Sequence, residues 1–324
     1  MRSLNCKAFG PPETLVIETM PDPSPATGEV VVDVHFAGLN FFDTLIIEGK
    51  YQVRPPLPFS PCGEFSGIVS ALGTGVSGFS VGDRVAGYCG YGAARARIAC
   101  PAEQLAVLPR GLSLEKAAGL SVTYGTTLHA LRQRADLRSG ETLAVLGASG
   151  GVGLAAVEIG GLLGAHVIAC ASSPEKVAFA QTCGAAEGID YSALDLKTEL
   201  KRLTGGRGVD VVYDPVGGDL TEAALRALAW EGRLMVIGFA AGPIPKIPLN
   251  LVLLKGCDIR GVFWGDFIRR DPALNSQNMA QIFEWAGSGA ISAHIHGIFP
   301  LESAAAAMGL LSHRKALGKV LLRL

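Results

Sequence analysis

The chain has little charge, no bias of sign and no cysteine pattern of the kind that binds metal. Only 18% of its 324 residues are charged against 49% hydrophobic, so it can bury a large core and is long enough to divide into two domains. Its 28 Lys and Arg face 29 Asp and Glu with no basic run, which argues against nucleic acid as a partner. The cysteines at 6, 62, 89, 100, 170, 183 and 257 contain no C-x-x-C pair, which argues against a zinc lobe and against a disulfide framework. No apolar stretch of about 18 residues runs without a charge or a glycine break, and Met1-Arg2-Ser3 leads into a short strand rather than an apolar signal core. Export and membrane insertion are not expected, and the cytoplasm is the expected location. Internal repeats and low-complexity segments are also missing.

What the chain does have is a cluster of four glycines in seven residues. Residues 142–146, TLAVL, read as a fully buried parallel strand, and residues 147–153, GASGGVG, stop it and start a helix over about 152–163. Ala148, Gly150 and Gly153 fit the dinucleotide fingerprint G-x-G-x-x-G with alanine in the first place. Gly150 lets the main chain approach a pyrophosphate, Gly153 lets the helix pack on the strand, and the helix amides and dipole face the anion. A glycine-rich turn alone is as readily a flexible loop. Here a strand precedes it, and a helix and a second strand, 166–171, follow within about 30 residues, as the motif requires.

NAD sites usually place Asp or Glu at the end of that second strand, about 20 residues past the glycines. This chain has Ala171, Ser172 and Ser173 there. Ser173-Pro174 reads as an N-cap and first helical residue with free amides, and Lys176 adds a positive charge one turn in. Taken alone, Lys176 reads as a solvated surface lysine; with the acid missing, serine, lysine and helix amides suit a 2′-phosphate. NADPH is the expected cofactor.

The first 110 or so residues look rich in strands and turns, with strands at 4–9, 15–19, 30–37, 65–72 and 84–88 that suggest a compact barrel. In the third strand Val30, Val32, Val34 and Phe36 are expected on one face, with Asp33 and exposed His35 on the other. Asp43 is expected to cap a short segment, 44–48. Helical patterning begins at 114 and continues over 126–134. Past the fingerprint, helices at 174–182, 195–203 and 221–228 alternate with strands at 188–190, 209–213, 232–238 and 258–264, giving six parallel strands in a doubly wound sheet. The tail, with helices at 278–285 and 302–311 and strands at 294–299 and 319–322, reads as returning to the first domain. The strand 258–264 is an apolar edge, and a homodimer pairing two such edges is expected.

Several pieces in this order resemble the medium-chain dehydrogenase/reductase superfamily, and within it the zinc-free quinone oxidoreductases related to zeta-crystallin. They are Gly38-Leu39-Asn40-Phe41-Phe42-Asp43, Gly49-Lys50-Tyr51, residues 61–69, Gly82-Asp83-Arg84-Val85, residues 148–153, Asp214-Pro215-Val216-Gly217-Gly218, Gly232-Arg233-Leu234 and Leu317-Gly318-Lys319-Val320. The resemblance covers nearly the whole chain. It implies an α/β protein with a GroES-like β-barrel catalytic domain over 1–122 and 265–324 and a doubly wound parallel-sheet (Rossmann) domain over 123–264. It further implies that nicotinamide lies in the cleft between the domains near Asn40, Tyr51 and Thr123, with main-chain groups around Phe239 and Phe263 holding its carboxamide. Gly150, Gly151, Val152, Ser173, Lys176 and Tyr191 would line the rest of NADPH, and Arg314 would reach its phosphate. Tyr191 reads equally well as a strand-end aromatic.

Zinc alcohol dehydrogenases of this superfamily carry a Cys where this chain has Phe41 or Phe42, and a His where it has Gly63. A catalytic zinc needs three protein ligands, so no metal is expected. His294 and His296 share a strand face but lack a third ligand. Without a Lewis acid for an alkoxide, the expected acceptor is a quinone or an α,β-unsaturated carbonyl, with Tyr51 as candidate proton donor and Asn40 as positioner. Cys62 stands where relatives commonly have Gly, and Leu45 where some have a Tyr. Two other functions stay open. One is a 2-enal or enoyl-thioester reductase sharing these motifs; the other is a low-activity NADPH-binding or RNA-associated crystallin-like protein, which the neutral charge disfavours.

Overall fold

The computed structural model describes residues 1–324, which separate into two units: 1–122 with 272–324, and 123–271. The first begins with strands β1 (Arg2–Asn5), β2 (Val16–Thr19), β3 (Glu29–Leu39), β4 (Glu64–Leu72), β5 (Arg84–Tyr88), β6 (Arg97–Pro101) and β7 (Leu105–Val107). Helices α1 (Phe41–Ile47) and α2 (Leu114–Ala117) lie among and after them, and α3 (Ser121–Leu128) follows. The strand expected over 4–9 ends at Asn5, because Cys6 turns away to exchange amide bonds with Phe59 at 2.7 and 3.1 Å.

The valine-rich β3 carries the unit's core, though not with the simple alternation its sequence predicts. Its register against β4 shifts between Val31 and Val32 and again between Val34 and Phe36. The first shift leaves Ser70 of β4 as the extra residue and keeps Val30, Val32 and Val34 on one face, whereas the second leaves His35 of β3 as the extra residue and turns the following side chains over. Beyond exposed His35, Ala37 and Leu39 therefore join Val30, Val32 and Val34 in the main core, while Phe36 packs with Ala118 and Leu321 in a separate cluster. One strand thus serves two apolar layers.

The second unit holds strands β8 (Thr142–Leu146), β9 (His166–Ala171), β10 (Glu187–Asp190), β11 (Val209–Asp214), β12 (Leu228–Val236) and β13 (Asp258–Gly261). All pair in parallel in the order β10-β9-β8-β11-β12-β13. The order reverses between β8 and β11, where open α/β sheets bind ligands at the carboxyl ends of their strands. Helices α4 (Gly151–Leu162), α5 (Pro174–Thr182), α6 (Leu196–Leu203) and α7 (Asp219–Ala227) make the crossovers. Helix α8 (Leu249–Lys255), with Leu249, Leu253 and Leu254 exposed, precedes β13, and α9 (Trp264–Arg270) follows it. The last strand is shorter and less apolar than its sequence suggests. It ends at Gly261, its Asp258 and Arg260 form an ion pair at 2.5 Å, and Trp264 starts a helix instead.

The chain re-enters the first unit through α10 (Pro272–Ser288), β14 (Ile295–Pro300), α11 (Ala304–Ser312) and β15 (Lys319–Arg323). Strand β15 pairs antiparallel with β3, setting Val320 opposite Leu39, and β14 runs parallel to β15. The tail thereby completes a seven-stranded sheet. No helix is long and apolar enough to cross a membrane.

Candidate active site

The parallel-sheet unit gathers its candidate site residues at the carboxyl ends of β8 and β9. Gly147 leaves β8 in the left-handed region, at φ 61°, and the buried Ala148 follows it. Gly150 caps α4 in extended backbone, and the first helical bond runs from Leu154 N to Gly150 O at 2.7 Å. The amides of Gly151, Val152 and Gly153 precede that bond, at the positive end of a twelve-residue helix. The two key glycines have different causes. A Cβ on Gly153 would lie 2.1 Å from Gly147 O, so helix and strand could not approach as they do, whereas a Cβ on Gly150 would meet nothing nearer than Gly147 O at 3.6 Å. The protein itself does not require glycine at 150; the space in front of it is left for something else, and a pyrophosphate fits the amides that face it.

At the end of β9, Ser173 caps α5, its Oγ accepting Lys176 N at 3.3 Å, and Lys176 Nζ donates to Ser172 Oγ at 3.0 Å. Tyr191 N donates to Ala171 O at 3.0 Å, which brings Tyr191 to the same strand end. The structure thus gathers Ser172, Ser173, Lys176 and Tyr191. It also adds an acid the sequence reading overlooked: Glu175, whose carboxyl is held below its usual range chiefly by the Ser173 hydroxyl. Elsewhere in this unit Thr123 is buried, Phe239 lies over Gly217, and Phe263 is exposed as the N-cap of α9. Arg314 belongs to the other unit, exposed and left-handed at φ 56° just after α11.

The antiparallel unit holds a buried polar network around Asn40. Asn40 follows β3 directly and caps α1; Asp43, at the third helical position, accepts the Asn40 amide through Oδ2 at 2.7 Å. The helix therefore starts at Phe41, earlier than the expected 44, with Asp43 inside its first turn rather than before it. The Asn40 side chain is engaged elsewhere. Its Nδ2 donates to Glu64 Oε1 at 2.8 Å and its Oδ1 accepts Lys319 Nζ at 2.8 Å. Lys319 also reaches Glu64 Oε1 at 2.7 Å and Leu39 O at 2.8 Å, and Glu64 Oε2 accepts Val122 N at 2.9 Å. Sequence reasoning missed Glu64 and Lys319 as site residues although both lie inside the quoted motifs. A lone charge in an apolar strand reads as a surface position until its partner, 255 residues away, is known.

Tyr51 is half-buried and stacks on Phe42, with ring centroids 5.5 Å apart and planes inclined by 27°. Burial, then the nearby Asp43 charge, raises its phenol above the ordinary value, so it stays protonated at neutral pH. Cys62 is fully buried at φ 65°, which explains why a glycine suits that position, and burial pushes its thiol well up, so it is no ready thiolate. Gly63 and the Phe41–Phe42 pair carry no metal-binding atoms, and no three His, Cys, Asp or Glu side chains are grouped to hold an ion. His296 Nδ1 accepts the Leu317 amide at 3.3 Å.

Burial raises the Asp43 carboxyl from 3.8 to about 7, with the Asn40 amide and Lys319 pulling the other way. The folded chain therefore keeps a proton that the unfolded chain has released between about pH 4 and pH 7. Stability falls as pH rises through that window and levels off above it. Asp43→Asn keeps an acceptor for the Asn40 amide but cannot ionise. It is expected to abolish this slope and to exceed the parent stability at about pH 8 by at most about 4 kcal/mol. Denaturant midpoints at about pH 5 and pH 8 check this; equal slopes in both proteins would contradict it.

Known proteins carry the same architecture. Residues 26–125 match the family described as alcohol dehydrogenase GroES-like domain, and residues 151–284 that described as zinc-binding dehydrogenase. The rat quinone oxidoreductase-like protein 2 is 42% identical over 297 residues, 91% of this chain and 85% of its own. The quinone oxidoreductase of Pseudomonas aeruginosa is 37% identical over 318 residues, 97% of each chain. The chain belongs to the quinone oxidoreductases of the medium-chain dehydrogenase/reductase superfamily. It is an oxidoreductase of that superfamily, with a GroES-like unit and a Rossmann unit. Among solved structures of this family, the Escherichia coli quinone oxidoreductase complexed with NADPH is 31% identical, with a TM-score of 0.91 and all of both chains covered.

Proposed function

We propose that the protein is an NADPH-dependent quinone oxidoreductase, transferring hydride from NADPH to a quinone without zinc. The observation that carries this reading is the open backbone at Gly150 beside the Ser172, Ser173 and Lys176 group, donors suited to a pyrophosphate and a 2′-phosphate. The NADPH named with the Escherichia coli relative supports the same choice. Gly151, Val152 and Gly153 amides would hold the pyrophosphate, while Ser173 and Lys176 would hold the 2′-phosphate, displacing the Glu175 carboxylate from the Ser173 hydroxyl. Thr123, Ala148, Tyr191, Phe239, Phe263 and Arg314 are proposed to line the remainder.

When bound, NADPH supplies a hydride. Reduction of a quinone to its hydroquinone consumes that hydride and one proton, and leaves NADP⁺. Tyr51 is the proposed proton donor, neutral because it is half-buried and fixed by its stacking on Phe42. Asn40 positions the acceptor. Phe41, Phe42 and Gly63 offer no ligand atoms where zinc relatives have theirs, which favours an acceptor whose reduced anion is delocalised.

Initial rates with NADPH and NADH against phenanthrenequinone, an alkenal and an enoyl thioester test this. NADPH is expected to be preferred at least about tenfold in kcat/KM, with the quinone the best acceptor, and Lys176→Met to cut the preference by about tenfold, about 1.4 kcal/mol. Tyr51→Phe should lower quinone turnover. Preference for NADH, or turnover of the alkenal or thioester alone, would overturn the reading.

A cytoplasmic homodimer is also proposed. The free edge of β13 lies beside exposed Trp230, Leu249, Leu253 and Leu254, apolar surface that a second copy would cover. Light scattering should give twice the mass of one chain; a single-chain mass would contradict this.

A further inference from the structure

The network around Asn40 fixes more than the place of its side chain; it fixes which end of the carboxamide faces where. Lys319 is an ammonium with three donors, and all three are spent, on Leu39 O, Asn40 Oδ1 and Glu64 Oε1 at 2.8, 2.8 and 2.7 Å. Lys319 and Glu64 are 4% and 0% exposed, so water cannot substitute for either partner. Turning the Asn40 amide over would set its NH₂ against the ammonium and its oxygen against the carboxylate, donor against donor and acceptor against acceptor. In low-dielectric surroundings both contacts are strongly unfavourable.

The observed orientation leaves one Nδ2 proton uncommitted, since the other is given to Glu64. A cation on the amide oxygen and an anion on the amide nitrogen polarise the group in the same sense, and hydrogen-bonded chains strengthen one another by about 10–30% per bond. The backbone is held as well: Asn40 N donates to Asp43 Oδ2 at 2.7 Å and Asn40 O accepts Asp43 N at 3.1 Å. The residue cannot swing to present its oxygen instead.

We propose that Lys319 and Glu64 are positioning residues that lock the Asn40 carboxamide in one orientation, so that Asn40 meets its ligand as a polarised hydrogen-bond donor to an oxygen. That oxygen belongs either to the acceptor's carbonyl, where negative charge grows as hydride arrives, or to the bound nucleotide. The inference rests on the reading of Asn40 as a site residue. It assigns functions to two charged residues that would otherwise be taken for core stabilisers, and a donor role to Asn40.

The test compares Asn40→Ala, Lys319→Met, Lys319→Arg and the double variant Lys319→Met/Glu64→Gln. The readouts are thermal midpoint, NADPH affinity by fluorescence titration, and kcat and KM with phenanthrenequinone. Lys319→Met alone should lose stability because it leaves the Glu64 charge buried and unpaired, while the double variant, with both charges gone, should recover most of it. Positioning predicts that the double variant stays impaired by about 10- to 100-fold despite its recovered midpoint, and that Lys319→Arg, which keeps the charge, regains part of the activity. A fall in kcat with NADPH affinity retained assigns the donated proton to the acceptor oxygen; a fall in NADPH affinity with kcat retained assigns it to the nucleotide. Each outcome supports the lock. A double variant that recovers activity together with stability overturns it. Asn40→Ala distinguishes the two levels: wild-type behaviour there removes Asn40 from the site and the proposal with it. An impaired Asn40→Ala beside a fully active double variant keeps the site reading and removes only the lock.

Discussion

Gly153→Ala is expected to destabilise the parallel-sheet unit by at least about 3 kcal/mol, or to prevent its folding. The added methyl carbon would lie 2.1 Å from Gly147 O, 2.8 Å from Gly147 C and 2.9 Å from Ala148 Cα, all of them backbone atoms at the head of the central strand β8. Overpacking against movable side chains typically costs about 1–3 kcal/mol. Here relief requires α4 to lift from the sheet, which would uncover Leu154, Ala155 and Val157, all buried in the native state. Urea denaturation followed by circular dichroism measures the loss; a variant within about 1 kcal/mol of the parent would show that the helix can shift freely, and the packing argument would fail.

The same substitution three residues earlier should do the reverse. Gly150 has φ −81°, which any residue adopts, and the nearest atom to an added Cβ is Gly147 O at 3.6 Å, an ordinary contact. Gly150→Ala should therefore leave stability within about 1 kcal/mol of the parent, with a small gain possible from a less flexible unfolded chain. The methyl group would occupy the space a pyrophosphate needs in front of the amides of α4. NADPH affinity is expected to fall at least about 100-fold, about 2.7 kcal/mol. Fluorescence titration with NADPH reads this directly. Unchanged affinity would mean that the nucleotide does not approach the chain there. Together the two variants separate a glycine demanded by the fold from one demanded by a ligand.

The parallel sheet was largely legible because its strands are buried on both faces and read as continuous apolar runs, bounded by strong signals. Ser173-Pro174 caps α5 as its side chain predicts, Ser173 accepting the Lys176 amide, while α6 starts at Leu196, one residue later than expected, with Asp195 as its cap accepting the Thr198 amide. The antiparallel unit was harder. Strands β6 and β7 are short and joined by only three residues, so neither shows a full period. The bulge at His35 in β3 reverses which of the following side chains face inward without any residue announcing it. In α8, the run Leu-Asn-Leu-Val-Leu-Leu has the composition of a core segment and yet lies largely exposed. Within the candidate site, the glycine turn and the serine-lysine group were readable because they are local. The partners of Asn40 were not, since Glu64 and Lys319 acquire meaning only through contacts that tertiary folding creates.

The link between Asn40 and Lys319 joins residues 279 positions apart. A ribosome making this protein translates the whole parallel-sheet unit before it supplies the ammonium that Glu64 awaits. Until β15 emerges and docks on β3, the nascent first unit carries a carboxylate without its counterion in what will become its interior. Transcripts broken shortly before codon 319 would therefore yield a chain in which the Asn40 side-chain carbonyl oxygen and the Glu64 carboxylate both lack the ammonium that joins them.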